Sequence, residues 1–166
     1  MPQLDLKLGV DRKDIGSWLS GPKAALEEQG MVFGYPGERF GLPKQGVGSV
    51  ARMGRRIVAL TLDWAAAILV THLAFPDLVY GSESFAAVTL GIFAAEVFLL
   101  TSTTGASFGY KLVGIRLISI SPAPVTFVKV LARTALLCLV VPALIWDRDG
   151  RGLHDKAVGT ITMRAR

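Results

Sequence analysis

Apolar residues in this chain come in long blocks, and the blocks come late. Met1 to Arg56 is polar, charged and rich in Gly and Pro. The first apolar block, Ile57–Phe75, would be about 28 Å long as a helix, enough to cross the hydrocarbon of a bilayer. It starts just after Arg52, Arg55 and Arg56 and stops at Pro76 and Asp77. The second block runs from Phe85 to Ser102. Between them, Pro76–Ser84 carries Asp77 and Glu83 and neither Lys nor Arg. The excess of positive charge on cytoplasmic loops then predicts a cytoplasmic N-terminus and an external short loop.

The pattern changes after Ser102. Gly105–Ser119 holds Gly105, Gly109, Gly114, Lys111 and Arg116. It is too polar to span and too apolar for an ordinary loop, so an amphipathic segment lying in the membrane interface is expected. A third block, Val125–Trp146, is broken by Lys129 and Arg133. Its uninterrupted part, Thr134–Trp146, would reach only about 20 Å as helix. Either Lys129 and Arg133 snorkel and the block spans, or it folds back as a re-entrant hairpin near Pro142. The tail bears Arg148, Arg151, Lys156, Arg164 and Arg166. That charge favours a cytoplasmic C-terminus and hence the re-entrant form.

Upstream, residues 1–50 are expected to form a cytoplasmic, largely disordered arm with one short helix near residues 20–30. Ser20 can cap that helix, Pro22 suits its first turn and Gly30 ends it. Gly34–Gly48, with Pro36 and Pro43, reads as a linker or extended arm. The expected fold is thus an all-α membrane protein over residues 51–166, behind that arm. It comprises two transmembrane helices, an interfacial amphipathic segment and a third spanning or re-entrant helical segment.

Composition sharpens this picture. The chain is 51% apolar with a mean hydropathy of +0.47, and the apolar share is segregated rather than dispersed. Net charge is +5 and pI about 9.7. The basic residues flank apolar blocks, which suits a cytoplasmic membrane face and not nucleic acid. Cys138 is the sole cysteine, so no internal disulfide can form. It reads as a packing residue. No apolar signal core follows Met1, so the first span is expected to be its own insertion signal. A multi-pass protein of a bacterial inner membrane is expected.

Several ionisable residues do not belong in lipid. Asp63 lies two turns into the first block, where a lone carboxylate costs about 2.5–3.5 kcal/mol. Arg56 is seven residues earlier on nearly the same helical face, roughly 10 Å away along the axis. Glu96 sits inside the second block, and His72 near the outer end of the first. The run GASFG over Gly105–Gly109 fits a nucleophile elbow, but that motif needs a strand–turn–helix setting and an acid–base pair. As G-x-x-x-G it reads better as a site of close packing or a turn. His72 and His154 lack metal-site spacing. No enzymatic activity, metal or cofactor is expected.

Three stretches resemble the RDD family of bacterial membrane proteins: GRRIVALTLD over Gly54–Asp63, GASFGYKLVGIR over Gly105–Arg116, and DRDGRGLHDKAVGT over Asp147–Thr160. The arginine and two aspartates that name the family fall on Arg56, Asp63 and Asp155. The resemblance implies transport, with cation/proton exchange attached to some members. It also implies a charge cluster in which Asp155 approaches Arg56, so that Asp63 and Asp155 share one guanidinium. Glu96, Lys111, Arg116 and His154 are secondary site residues. The long arm and brief third block depart from the family pattern and leave room for an accessory or assembly subunit. The expected partners are the lipid bilayer and either further copies of the chain or a larger membrane complex.

Overall fold

The computed structural model describes residues 34–122, 124–139, 145, 147 and 149–166. The helix expected near residues 20–30 and the turn expected near Pro142 lie outside the described residues. The elements below all belong to one compact unit, Tyr35–Arg166.

Both long apolar blocks are helices. Helix α1 is Met53–Ala74 and α2 is Glu83–Thr104, with 22 residues each, about 33 Å in length. Their mean hydropathies are 1.8 and 1.9, yet only 22% and 28% of their apolar windows are buried within the protein. The core helix of a soluble domain would bury most of such a surface; here Ile57, Leu69, Leu73 and Leu99 face outward, each more than half exposed. The buried stripes recur at near-helical spacing: Arg56, Ala59, Asp63, Ala67 and Thr71 on α1, and Phe85, Thr89, Phe93, Val97 and Thr101 on α2. Ala67 and Thr71 of the first stripe face Phe93, Val97 and Thr89 of the second. Trp64 meets Phe93 edge-on at 5.4 Å, and the Thr89 hydroxyl donates to that of Thr71 at 3.1 Å. Ser82 caps α2 by accepting from the Phe85 N–H at 3.2 Å. Gly105 ends it in the left-handed region, at φ 74°.

The segment expected to be one interfacial element is two. Helix α3, Phe108–Val113, stops at Gly114, whose φ of 69° turns the chain into strand β1, Ile115–Ser119. Strand β2, Thr160–Arg164, pairs antiparallel with β1, from Ile115↔Arg164 to Ser119↔Thr160. The all-α expectation is therefore corrected: the protein is mostly helical, with a two-stranded sheet made from the basic tail and the middle motif. β-Branched residues explain it, since Ile115, Ile118, Thr160, Ile161 and Thr162 favour a pleated, half-buried surface. Thr160, Ile161 and Thr162 are all fully buried.

The sheet ties the C-terminus to the residues just ahead of α1. Ala51 donates to the Thr162 carbonyl (2.9 Å) and Arg164 to the Ser49 carbonyl (2.8 Å), immediately ahead of α1. The C-terminus thus lies at the same end as the start of α1. Helix α4, Phe127–Cys138, has 12 residues, about 18 Å in length and too short to span. It follows β1, and helix α5, Leu153–Ala157, leads back into β2. Because β1 and β2 are paired, the chain between the strands leaves from this end and returns to it.

Part of the expected arm belongs to the compact unit, which begins at Tyr35 rather than after residue 50. Arg39, within the short 3-10 turn Glu38–Phe40, ion-pairs with Asp149 and, at 3.5 Å, with Asp147. The guanidinium groups of Arg39 and Arg151 lie 4.8 and 4.9 Å from the Phe40 ring centroid. Burial opposes ionisation of Asp147. The hydrogen bonds and charge of Arg151 outweigh it and hold the carboxyl below its usual pKa.

Gly109 marks the tightest helix contact. A Cβ there would collide with the Ala59 carbonyl of α1 and stand 2.9 Å from Asp63 Oδ1. Gly109→Ala should lower stability by about 1–3 kcal/mol. Gly54→Ala, with open space around its Cβ position, should be neutral or slightly stabilising because of helix propensity. Thermal unfolding of both variants in one neutral detergent, followed by circular dichroism, checks the contrast.

Candidate functional site

Asp155 is the most completely enclosed charged group among the described residues. It sits in α5 with no exposed surface. Arg133 Nε, from α4, donates to Oδ1 at 2.7 Å. Arg56 Nη1, from α1, donates to Oδ2 at 3.4 Å, and the Thr162 hydroxyl, from β2, donates there at 3.2 Å. The Thr160 hydroxyl reaches the Asp155 carbonyl at 3.2 Å and Oδ1 at 3.5 Å. Arg133 is 2% exposed; its Nη2 donates to the Tyr110 hydroxyl of α3 at 2.9 Å. His154 Nε2 is 3.6 Å from Asp155 Oδ1. Its ring packs over Gly152, where a Cβ would lie 2.6 Å from Nδ1.

The electrostatics follow from this geometry. Burial works against the charge on Asp155, but Arg133, His154 and Arg56 more than compensate and hold its carboxyl below the ordinary value. Burial likewise opposes the charge on Arg133, and Asp155 and Tyr110 overcome it, so its pKa is raised and it stays protonated.

Asp63 has a different task from the expected one. It does not share Arg56 with Asp155. Its Oδ2 accepts from the Ser107 hydroxyl at 2.7 Å, and its Oδ1 accepts from the Gly109 N–H. Glu96 Oε1 accepts from the Phe108 N–H at 2.8 Å, and Ser107 Oγ from the Tyr110 N–H at 3.3 Å. The first three N–H groups of α3 thus go to side chains of α2, α1 and the cap residue itself. Two turns separate Asp63 from Arg56, and the N-terminus of α3 meets the carboxylate first. The cluster is the inverse of the expected one: two guanidinium groups share one carboxylate.

A cavity of about 490 Å³ opens between α1, α2 and α4. Arg56, Asp63, Ser107 and Tyr110 line its polar end; Leu60, Trp64, Phe93 and Leu137 line the rest, with Cys138 at the wall. His154 and Arg133 border it too. Lys111 and Arg116 are exposed on α3 and β1, and His72 is exposed at the far end of α1; none joins the cluster. Among the described residues no group of three or more His, Cys, Asp or Glu could hold a metal. Sequence reasoning missed Arg133 as a site residue. The signal was present, a charge inside an apolar block, but it read as an interruption of a span. Tyr110 and Ser107 carried no signal of their own.

Asp155→Asn leaves two buried guanidinium groups without their counter-charge. It should cost about 3–5 kcal/mol, the scale for breaking a buried pair. Because folding lowers the Asp155 pKa, its ionic contribution is complete above the unfolded value near 3.9 and is lost as pH falls through the lower folded value. The unfolding midpoint of the parent protein should therefore drop below about pH 4. That of Asp155→Asn should drop less over the same range, as read by thermal melts in detergent.

The RDD family model matches residues 50–159. No curated protein and no solved structure matches the chain. The match begins at the Val50 bridge and contains Arg56, Asp63, Arg133 and Asp155. With well over half of its length matched and two apolar helices long enough to span, the chain belongs to the RDD family of membrane proteins.

Proposed function

We propose that this protein is a small transport protein of a bacterial inner membrane, and that the cavity between α1, α2 and α4 is its substrate site. The observation that carries the reading is an ionisable lining inside a membrane helix pair: Asp63 and Arg56 face one cavity that extends along α1 as far as Trp64. Charges at such depth are expensive in lipid and belong beside water or substrate. Of the two family aspartates, Asp63 lines the cavity and Asp155 does not. Cation/proton exchange would therefore run through Asp63, while Arg56, Arg133 and Asp155 hold the frame.

The distribution of charge supports a cytoplasmic N-terminus. Arg52, Arg55, Arg56, Arg164 and Arg166 gather at the sheet end of α1, and Asp77 and Glu83 mark the loop at its other end. Two spans with mostly uncovered surfaces enclose little pathway alone, which supports a homo-oligomer. A second reading, an accessory subunit of a larger membrane complex, draws on α4. Its Phe127, Val128 and Leu131 stay exposed on a helix too short to span.

Asp63→Asn should remain folded and lose at least about tenfold of proton-coupled cation flux in reconstituted vesicles, the scale of removing a positioned proton acceptor. Unchanged flux in a folded variant removes Asp63 from the mechanism. A stoichiometric larger partner after gentle extraction would favour the subunit reading, and a homo-oligomer the transporter. In a Cys138→Ser background, single cysteines at Val47 and Arg164 should both resist an impermeant reagent in intact cells while one at Tyr80 reacts. Labelling at Arg164 but not at Tyr80 would reverse the orientation.

A further inference from the structure

We propose that the cavity beside Arg56 takes an amphiphile with an acidic head, its carboxylate or phosphate at Arg56 and its acyl chain along the apolar wall. The inference rests on the cavity being the ligand site, as proposed above, and not on transport.

Arg56 is 8% exposed. Its two terminal nitrogens make only long hydrogen bonds, both 3.4 Å, to Asp155 Oδ2 and the Thr162 carbonyl. Its Nε is buried and makes no hydrogen bond among the described residues. A buried charged donor without an acceptor is costly, so the site has an unmet demand for an oxygen lone pair. The neighbouring carboxylates do not meet it. Asp63 directs its oxygens at Ser107 and Gly109, and Asp155 directs its own at Arg133, Arg56 and two threonines. Arg133 is engaged with Asp155 and Tyr110. A ligand that brings anionic oxygen satisfies Arg56. Asp63, the carboxylate lining the cavity, already accepts through both oxygens, so an ammonium head would stand as a third cation beside two guanidinium groups and find no open carboxylate oxygen.

The rest of the cavity is the wrong chemistry for a free anion and the right one for a chain. Leu60, Trp64, Leu90, Phe93 and Val97 present an apolar surface. From Met53 to Trp64 the wall follows α1 for about 16 Å, roughly one leaflet of hydrocarbon. The volume lies within the range of about 300–1,000 Å³ common for small-ligand sites. Head at the interface and tail toward the midplane is how a membrane amphiphile already lies.

The test uses the full chain in a neutral maltoside, with Trp18→Phe and Trp146→Phe so that Trp64 is the only tryptophan. A chain-brominated fatty acid should quench Trp64. Dodecanoate and dodecyl phosphate should displace it at least about tenfold more effectively than dodecanol or dodecyltrimethylammonium, a difference of about 1.4 kcal/mol or more. Acetate and inorganic phosphate should not displace it. Arg56→Gln should erase the preference for acids while leaving dodecanol unchanged. If that variant does not fold, the competitor ranking in the parent still decides. Native mass spectrometry of the protein as extracted separates the two sources, a single-chain acid or an anionic phospholipid. A flat ranking, a preference for the cation, or no quenching by the acid overturns the proposal. Binding is read without any gradient, so acid binding without flux defeats transport alone, and flux without acid binding defeats this inference alone.

Discussion

A carboxylate with no exposed surface, held between two guanidinium groups from distant parts of the chain, is the constraint on which the rest of this protein depends. Asp155 comes from near the C-terminus, Arg56 from the first helix and Arg133 from the short helix α4. Removing three charges from water is expensive, and their attraction offsets it only when every lone pair and proton has a partner. Thr160 and Thr162 supply further partners to Asp155 and Tyr110 one to Arg133, which is why β2 and α3 must come to the same place; Arg56 Nε alone of this trio is left without one among the described residues. The sheet follows from this need as much as from strand propensity. It brings the two threonines of β2 under Asp155 and binds the tail to the residues just ahead of α1.

A second polar construction stands deeper. Helix α3 has six residues, too few to be stable alone. Three side chains satisfy its first N–H groups, and two of them, Asp63 and Glu96, come from the long helices. Asp63 resolves two problems at once, its own burial and the open end of the short helix, while Glu96 serves the helix end through Oε1 alone. Gly109 and Ala59 let α3 approach α1 closely enough for the bonds to form. The side chains that remain between the long helices and α4 do not close over the gap, and the cavity lined by Arg56, Asp63 and Trp64 is what they leave.

The two constructions divide the labour among the family residues. Asp155 is saturated with donors and holds elements together, so it has little capacity to exchange a proton. Asp63 touches the cavity, and Arg56 touches both the lock and the cavity. The proposed function rests on the place where Arg56 and Asp63 meet that space, while the outward faces of α1 and α2 are left to lipid or to neighbouring helices.

The long apolar runs determined the two spans by themselves, because hydrocarbon accepts only helices whose backbone is satisfied internally. The shared stripe of Arg56 and Asp63 was equally legible, since seven residues are nearly two helical turns. The approach of Asp155 to Arg56 was carried by motif resemblance and agrees with the geometry. What only the tertiary structure decided is which partner each charge takes. Arg133 looked like an interruption of a span and is a buried partner of Asp155; Asp63 looked like a partner of Arg56 and caps α3. The strands Ile115–Ser119 and Thr160–Arg164 are short and lie some forty residues apart. Their pairing is non-local, so no local periodicity announces it. Periodicity reports the face a residue occupies; which group from elsewhere in the chain arrives at that face depends on the closure of the whole fold.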